Sequence, residues 1–144
     1  MRWQVDLATE LLTLNKERTQ HWRKRAAHVK AVRTAFAAAA SEVGVPHLHR
    51  ARLIVQPLQR RGPLADILAH VPTIKAAVDG LIDAGVLTDD RPEFLPAVEV
   101  RPPILWPFTG LSLAIIQLDP VVRYDAHHPA DVPAGLTPTE TRHA

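Results

Sequence analysis

A small single α/β domain, with a mixed sheet of about four strands and two helices packed on it, is the fold class that the hydrophobic patterning predicts. Two observations carry it. Short β-branched or alternating runs are interleaved with two segments of helical period, in the order β, α, β, α, β, β. The length of 144 residues also suits one domain with its own core.

Trp3, Val5 and Leu7 alternate with Arg2, Gln4 and Asp6, the signature of a half-buried strand. A loop containing Thr13 to Thr19 follows. From about Gln20 to Val43, Trp22, Val29, Phe36 and Val43 recur every seven positions, with Ala26, Val32, Ala39 and Ala40 in the same stripe. That predicts a long amphipathic helix ended by Gly44 and Pro46, with Trp22 as a core anchor. Ala51 to Pro57 (ARLIVQP) reads as a central strand, and Gln59 to Pro63 (QRRGP) as a turn. Pro72 opens a second helix whose buried face is Ile74, Val78, Leu81 and Ile82, closed by Gly85. Phe94 to Arg101 and Leu111 to Leu118 read as two more strands, expected to form a hairpin across the Pro-rich stretch 102–107. Residues 1–118 form the expected domain, and 119–144, with four prolines, the expected extended tail.

The formal charge of +2 conceals an asymmetry. Residues 1–61 carry 12 Lys or Arg against 4 Asp or Glu, whereas residues 62–144 carry 5 against 11. A basic half points to a polyanion, and an acidic half to a cation. The polar face of the first helix holds Arg23, Lys24, Arg25, Lys30 and Arg33, with Lys16 and Arg18 just ahead. With Arg60 and Arg61 they form the candidate DNA-binding set, since such a ridge can follow a phosphate backbone and release its counterions.

The chain has no cysteine, which removes thiolate chemistry and disulfides. No apolar run reaches the length of a membrane span, and no secretory signal opens the chain, so a cytoplasmic protein with no membrane partner is expected. Serine is scarce and no glycine-rich phosphate loop is present, which argues against a serine triad or a nucleotide-binding P-loop. His47 and His49, and His127 and His128, lack the helical spacing and third ligand of a zinc site.

The densest chemistry lies between Asp66 and Asp90. Asp66 stands in a loop before the second helix, Lys75 and Asp79 are on that helix, and Asp89 and Asp90 follow it. A helix of about twelve residues is about 18 Å long, so flanking acids can converge along it. Carboxylates gathered in this way suit a hard divalent cation. Singly, each has a plainer reading: Asp89 and Asp90 as a solvated turn, Lys75 and Asp79 as a surface ion pair, Asp66 as a loop acid.

Three pieces, LNKERTQHWR from Leu14, the Asp66 loop leading into PTIKAAVDGLIDAGVL from Pro72, and TDD from Thr88, resemble the RusA family of Holliday junction resolvases. These are small dimeric endonucleases common in phages and prophages, and the likeness is to the actinobacterial and actinophage branch. With the strands it covers residues 1 to about 118. The resemblance implies a homodimer that binds branched DNA and nicks opposed strands with Mg²⁺, or Mn²⁺ in its place, in recombination and repair. It assigns Asp66, Lys75 and Asp90 to catalysis and Asp66, Asp89 and Asp90 to the metal. Where the family has a second acid or small residue and then Asn, this chain has Leu68 and Ala69, neither of which ligates a cation or holds a loop through an amide. Three readings stand open: an endonuclease, a protein on the same fold that binds branched DNA without cutting it, and an interaction protein that touches no nucleic acid.

Overall fold

The computed structural model describes residues 1–13, 18 and 21–119. Lys16, the loop residues 14–17, 19 and 20, and all of the expected tail except Asp119 lie outside the described residues.

Strand β1 (Arg2–Ala8) buries Val5 and half-buries Trp3 and Leu7, as its alternation requires. Helix α1 (Trp22–Val43) starts at His21, whose Nδ1 accepts the Arg23 N–H at 3.2 Å, and ends at Gly44 in the left-handed region, φ 81°. Strand β2 (Ala51–Gln59) is followed by helix α2 (Val71–Asp83), the short strands β3 (Ala97–Val100) and β4 (Ile104–Leu105), and β5 (Gly110–Gln117). The sheet is mixed and five-stranded, in the order β1-β5-β2-β3, with β4 pairing β2 beyond β3.

The expected hairpin between the last two strands does not form. β3 pairs parallel to β2, Arg52 with Ala97 through Val55 with Val100, while β5 runs antiparallel between β1 and β2. Burial explains the exchange. β5 (GLSLAIIQ) is apolar along most of its length and takes a position covered on both edges, whereas AVEV of β3 is largely exposed and suits an edge.

β2 also runs two residues past the predicted Pro57. The Val55 and Gln59 carbonyls accept from Arg101 and Trp106, so Pro57, in the same phase, turns its missing N–H toward that edge. There it falls between the β3 and β4 pairings, where the ladder is already interrupted.

The buried stripe of α1 is Val32, Phe36 and Ala40, a four-residue row, with Val29 and Ala39 partly buried. Trp22, the expected core anchor, is 60% exposed. At about 1.5 Å per residue, α1 is about 33 Å long and α2 about 20 Å, so the N-terminal turns of α1 extend past their partner.

The two helices approach closely at Gly80. A Cβ there would stand 2.5 Å from the Arg33 carbonyl oxygen and 3.0 Å from Phe36 Cβ. Since the nearer atom is backbone, Gly80→Ala is expected to force the helices apart and to destabilise the protein by about 1–3 kcal/mol, read as a lower urea midpoint with an unchanged m-value.

Candidate active site

Helix α2 buries Ile74, Ala77, Val78 and Leu81 against the core, and this sets the direction of the remaining face. Lys75 lies on that face, with its side chain 58% exposed. The loop after α2 is fixed at both ends. Val86 and Leu87 are buried before it and Leu95 after it, and the Ala51 N–H donates to the Phe94 carbonyl at 3.0 Å. The acids between those anchors are thereby carried back along the helix they follow.

The result joins residues fifteen apart. Lys75 Nζ donates to Asp90 Oδ2 at 2.5 Å and to Asp79 Oδ1 at 3.0 Å. Asp89 accepts the Asp90 N–H on Oδ1 at 2.7 Å and pairs through Oδ2 with Arg91 Nε at 2.9 Å. A cleft of about 320 Å³ runs beside the pair, walled mainly by Val71, Ile74, Val78, Leu95 and Val98. The hydrogen bond to Asp90, then that to Asp79, holds the Lys75 ammonium above the ordinary lysine range, and the same bond holds the Asp90 carboxyl below the usual carboxylate range. Lys75 is exposed and Asp90 partly exposed, and an ion pair so open to water is worth about 0.2–1 kcal/mol. The pair contributes little to stability and mainly orients two charged groups.

Asp66 is exposed at the start of the turn that enters α2, its carbonyl accepting the Ala69 N–H at 3.0 Å. The side chain of Gln59, the first residue of the expected turn, shapes this segment. Its amide donates to the Arg61 and Pro63 carbonyls at 3.3 and 3.2 Å, and its oxygen accepts the Ala65 N–H at 2.8 Å. A glutamine at the end of a strand carries no periodicity or motif by which this role is legible. Asp66 does not join the Lys75 cluster. Among the described residues, no three Asp, Glu or His side chains stand together as ligands for one ion, so the expected metal set of Asp66, Asp89 and Asp90 is not gathered.

No protein-family model and no curated protein matches the chain.

The donor set still fits one kind of divalent ion. Magnesium is commonly held by one or two carboxylates, with waters and substrate phosphate completing its shell. Asp89 and Asp90 are adjacent and both partly exposed. They suit such an open site, not a closed cage of three acids.

Of the candidate DNA-binding residues, Arg18, Arg23, Lys24, Lys30, Arg60 and Arg61 are exposed and Arg25 is half-buried. The Arg23 guanidinium lies 5.2 Å from the Trp22 ring centroid, a cation–π contact on the overhanging turn. Arg33 is engaged instead with Asp83 of α2, Nη2 to Oδ1 at 2.7 Å and Nε to the other oxygen, and so acts as a clasp between the helices. No helix of the described residues is long and apolar enough to cross a membrane.

His70, at the N-cap of α2, is buried at 4% exposure, and neither ring nitrogen has a hydrogen-bond partner among the described residues. Burial pushes its pKa below the ordinary 6.5. A base depressed on folding binds fewer protons folded than unfolded, so its contribution is present above pH 6.5 and is lost as pH falls through the folded value. Urea midpoints are expected to decline on acidification below about pH 6.5, and His70→Leu to remove that part of the slope.

Proposed function

We propose that this chain is a Mg²⁺-dependent, structure-selective endonuclease of the RusA type, acting on branched DNA such as a Holliday junction in the cytoplasm. The observation that carries the reading is the Lys75 ammonium held between Asp79 and Asp90 beside Asp89, on the wall of an open cleft. An acid pair and a positioned cation are what phosphodiester hydrolysis needs beside the scissile bond.

Asp90 and Asp89 would hold the magnesium, with water and the substrate phosphate completing its shell. When bound, the ion polarises a phosphoryl oxygen and supplies hydroxide near neutral pH. Lys75, orienting Asp90 at rest, offsets the charge that gathers on the phosphoryl oxygens as the bond breaks. Arg23, Lys24 and Lys30 on α1, with Arg18, Arg60 and Arg61, would lie along the junction arms, where their charge replaces condensed counterions. Two symmetric incisions require two related sites, and a homodimer provides them.

The second reading, a protein that binds branched DNA without cutting it, is favoured by one specific observation. Among the described residues no three carboxylates stand together as ligands, and the turn after Asp66 presents Leu68 and Ala69. Purified protein incubated with a synthetic four-way junction and Mg²⁺ or Mn²⁺ separates the two. Paired incisions support the nuclease, and retarded but uncut DNA supports the binder.

Asp90→Asn is expected to lower cleavage at least about 100-fold while changing junction affinity less than about threefold, the signature of an interaction made in the reaction and not in binding. Lys75→Met is expected to behave similarly. Lys24→Gln with Lys30→Gln is expected to reduce the slope of log affinity against log salt by about 2 and to leave the cleavage rate at saturating protein unchanged. Cleavage that survives Asp90→Asn at full rate would remove the site assignment.

A further inference from the structure

A second groove, distinct from the Lys75 cleft, opens where β2 ends. Leu11, Gln59, Arg60, Arg61, His70 and Thr109 line its volume of about 380 Å³. Its frame is held by hydrogen bonds. The Arg60 N–H donates to Thr109 Oγ1 at 3.1 Å, Gln59 gathers the loop 61–65, and the Leu12 N–H donates to the fully buried Thr73 hydroxyl at 2.8 Å, which ties the Leu11 wall to the start of α2. Neither the Arg60 nor the Arg61 guanidinium has a carboxylate partner among the described residues.

The His70 imidazole is the anomaly. Buried polar groups are nearly always hydrogen-bonded, because an unpaired one gives up its hydration with nothing in return. Here both ring nitrogens are without a partner among the described residues, in a side chain that lines a cationic groove at the N-terminal end of a thirteen-residue helix. A neutral imidazole always carries one N–H, which needs an acceptor. Two unpaired guanidiniums and the positive end of a helix dipole select an acceptor that is negatively charged.

We propose that this groove is an oxyanion site for one phosphate group, with the His70 N–H donating from its floor and Arg60 and Arg61 closing on it from the mouth. The site deepens the nucleic-acid reading, on which it rests only for the source of the phosphate. That source is either the DNA backbone next to the cut or a free phosphate. The Gln59 side chain holds the loop that follows through the Arg61 and Pro63 carbonyls and the Ala65 N–H.

The test is an imidazole-resolved ¹H–¹⁵N titration of the full chain with inorganic phosphate, at ionic strength matched with chloride, and separately with a four-way junction oligonucleotide. A saturable shift of the His70 ring nitrogens with phosphate is expected, with His47, whose Nδ1 already lies 2.8 Å from the Gly85 carbonyl, unmoved. Arg60→Gln with Arg61→Gln, both exposed and so compatible with folding, is expected to weaken phosphate at least about tenfold, which is about 1.4 kcal/mol. Movement of His70 with the junction as well supports a backbone phosphate. Movement with phosphate alone, while the junction still binds in a gel, supports a free phosphate. A His70 signal that ignores phosphate overturns the site even if DNA binds. A His70 signal that responds to phosphate in a protein that binds no DNA keeps the site and defeats the nucleic-acid reading instead.

Discussion

The pairing of β2 along both edges is the constraint on which the rest of the molecule depends. β5 takes one edge over the full length from Ala51 to Leu58, and β3 and then β4 take the other. A strand held in this way delivers its ends to fixed places. Its C-terminal end sets Gln59, Arg60 and Arg61, and through Gln59 the loop that carries Asp66. Because β3 must return parallel to β2, the intervening chain has to cross over the sheet, and α2 is that crossover. Lys75 is therefore set by the same pairing as the basic groove.

The helices convert that scaffold into a charged surface. α2 packs Ala76, Ala77 and Gly80 into close quarters, with Phe36 of α1 against Gly80, and small residues along the seam let the helices approach until only a hydrogen fits at that position. Arg33 and Asp83 close the seam at its exposed side. A residue that looks from its spacing like one more cation on a DNA-facing ridge is in this way used for tertiary contact, while Arg23, Lys24 and Lys30 remain outward.

The candidate chemistry is built from weak local interactions on a rigid frame. The Lys75–Asp90 pair is too exposed to contribute much to stability, yet Leu87 and Leu95 bury on either side of the acid loop and leave Asp90 few alternatives. The same logic operates around His70: buried Thr73 and the Gln59 amide fix the walls, and the imidazole between them is held with its polar atoms unspent. Functional groups whose interactions are not consumed by the fold are those available to a ligand.

Much of this architecture was legible in the chain. Alternation at Trp3, Val5 and Leu7, helical period around Phe36 and from Ile74 to Leu81, and the helix-ending glycines Gly44 and Gly85 are local signals, and local signals survive in sequence because hydrogen bonding within each element depends on near neighbours. Lys75 pairs with Asp79 four residues on, as their spacing allows, while its approach to Asp90 is set by the loop that folds back along the helix. The partner of β3, the insertion of β5 between β1 and β2, the exposure of Trp22, the engagement of Arg33 and the separation of Asp66 from the other acids were decided only by tertiary structure. Each depends on which surfaces are left over after distant segments compete for the same apolar cover, and that competition leaves no period in the sequence to read.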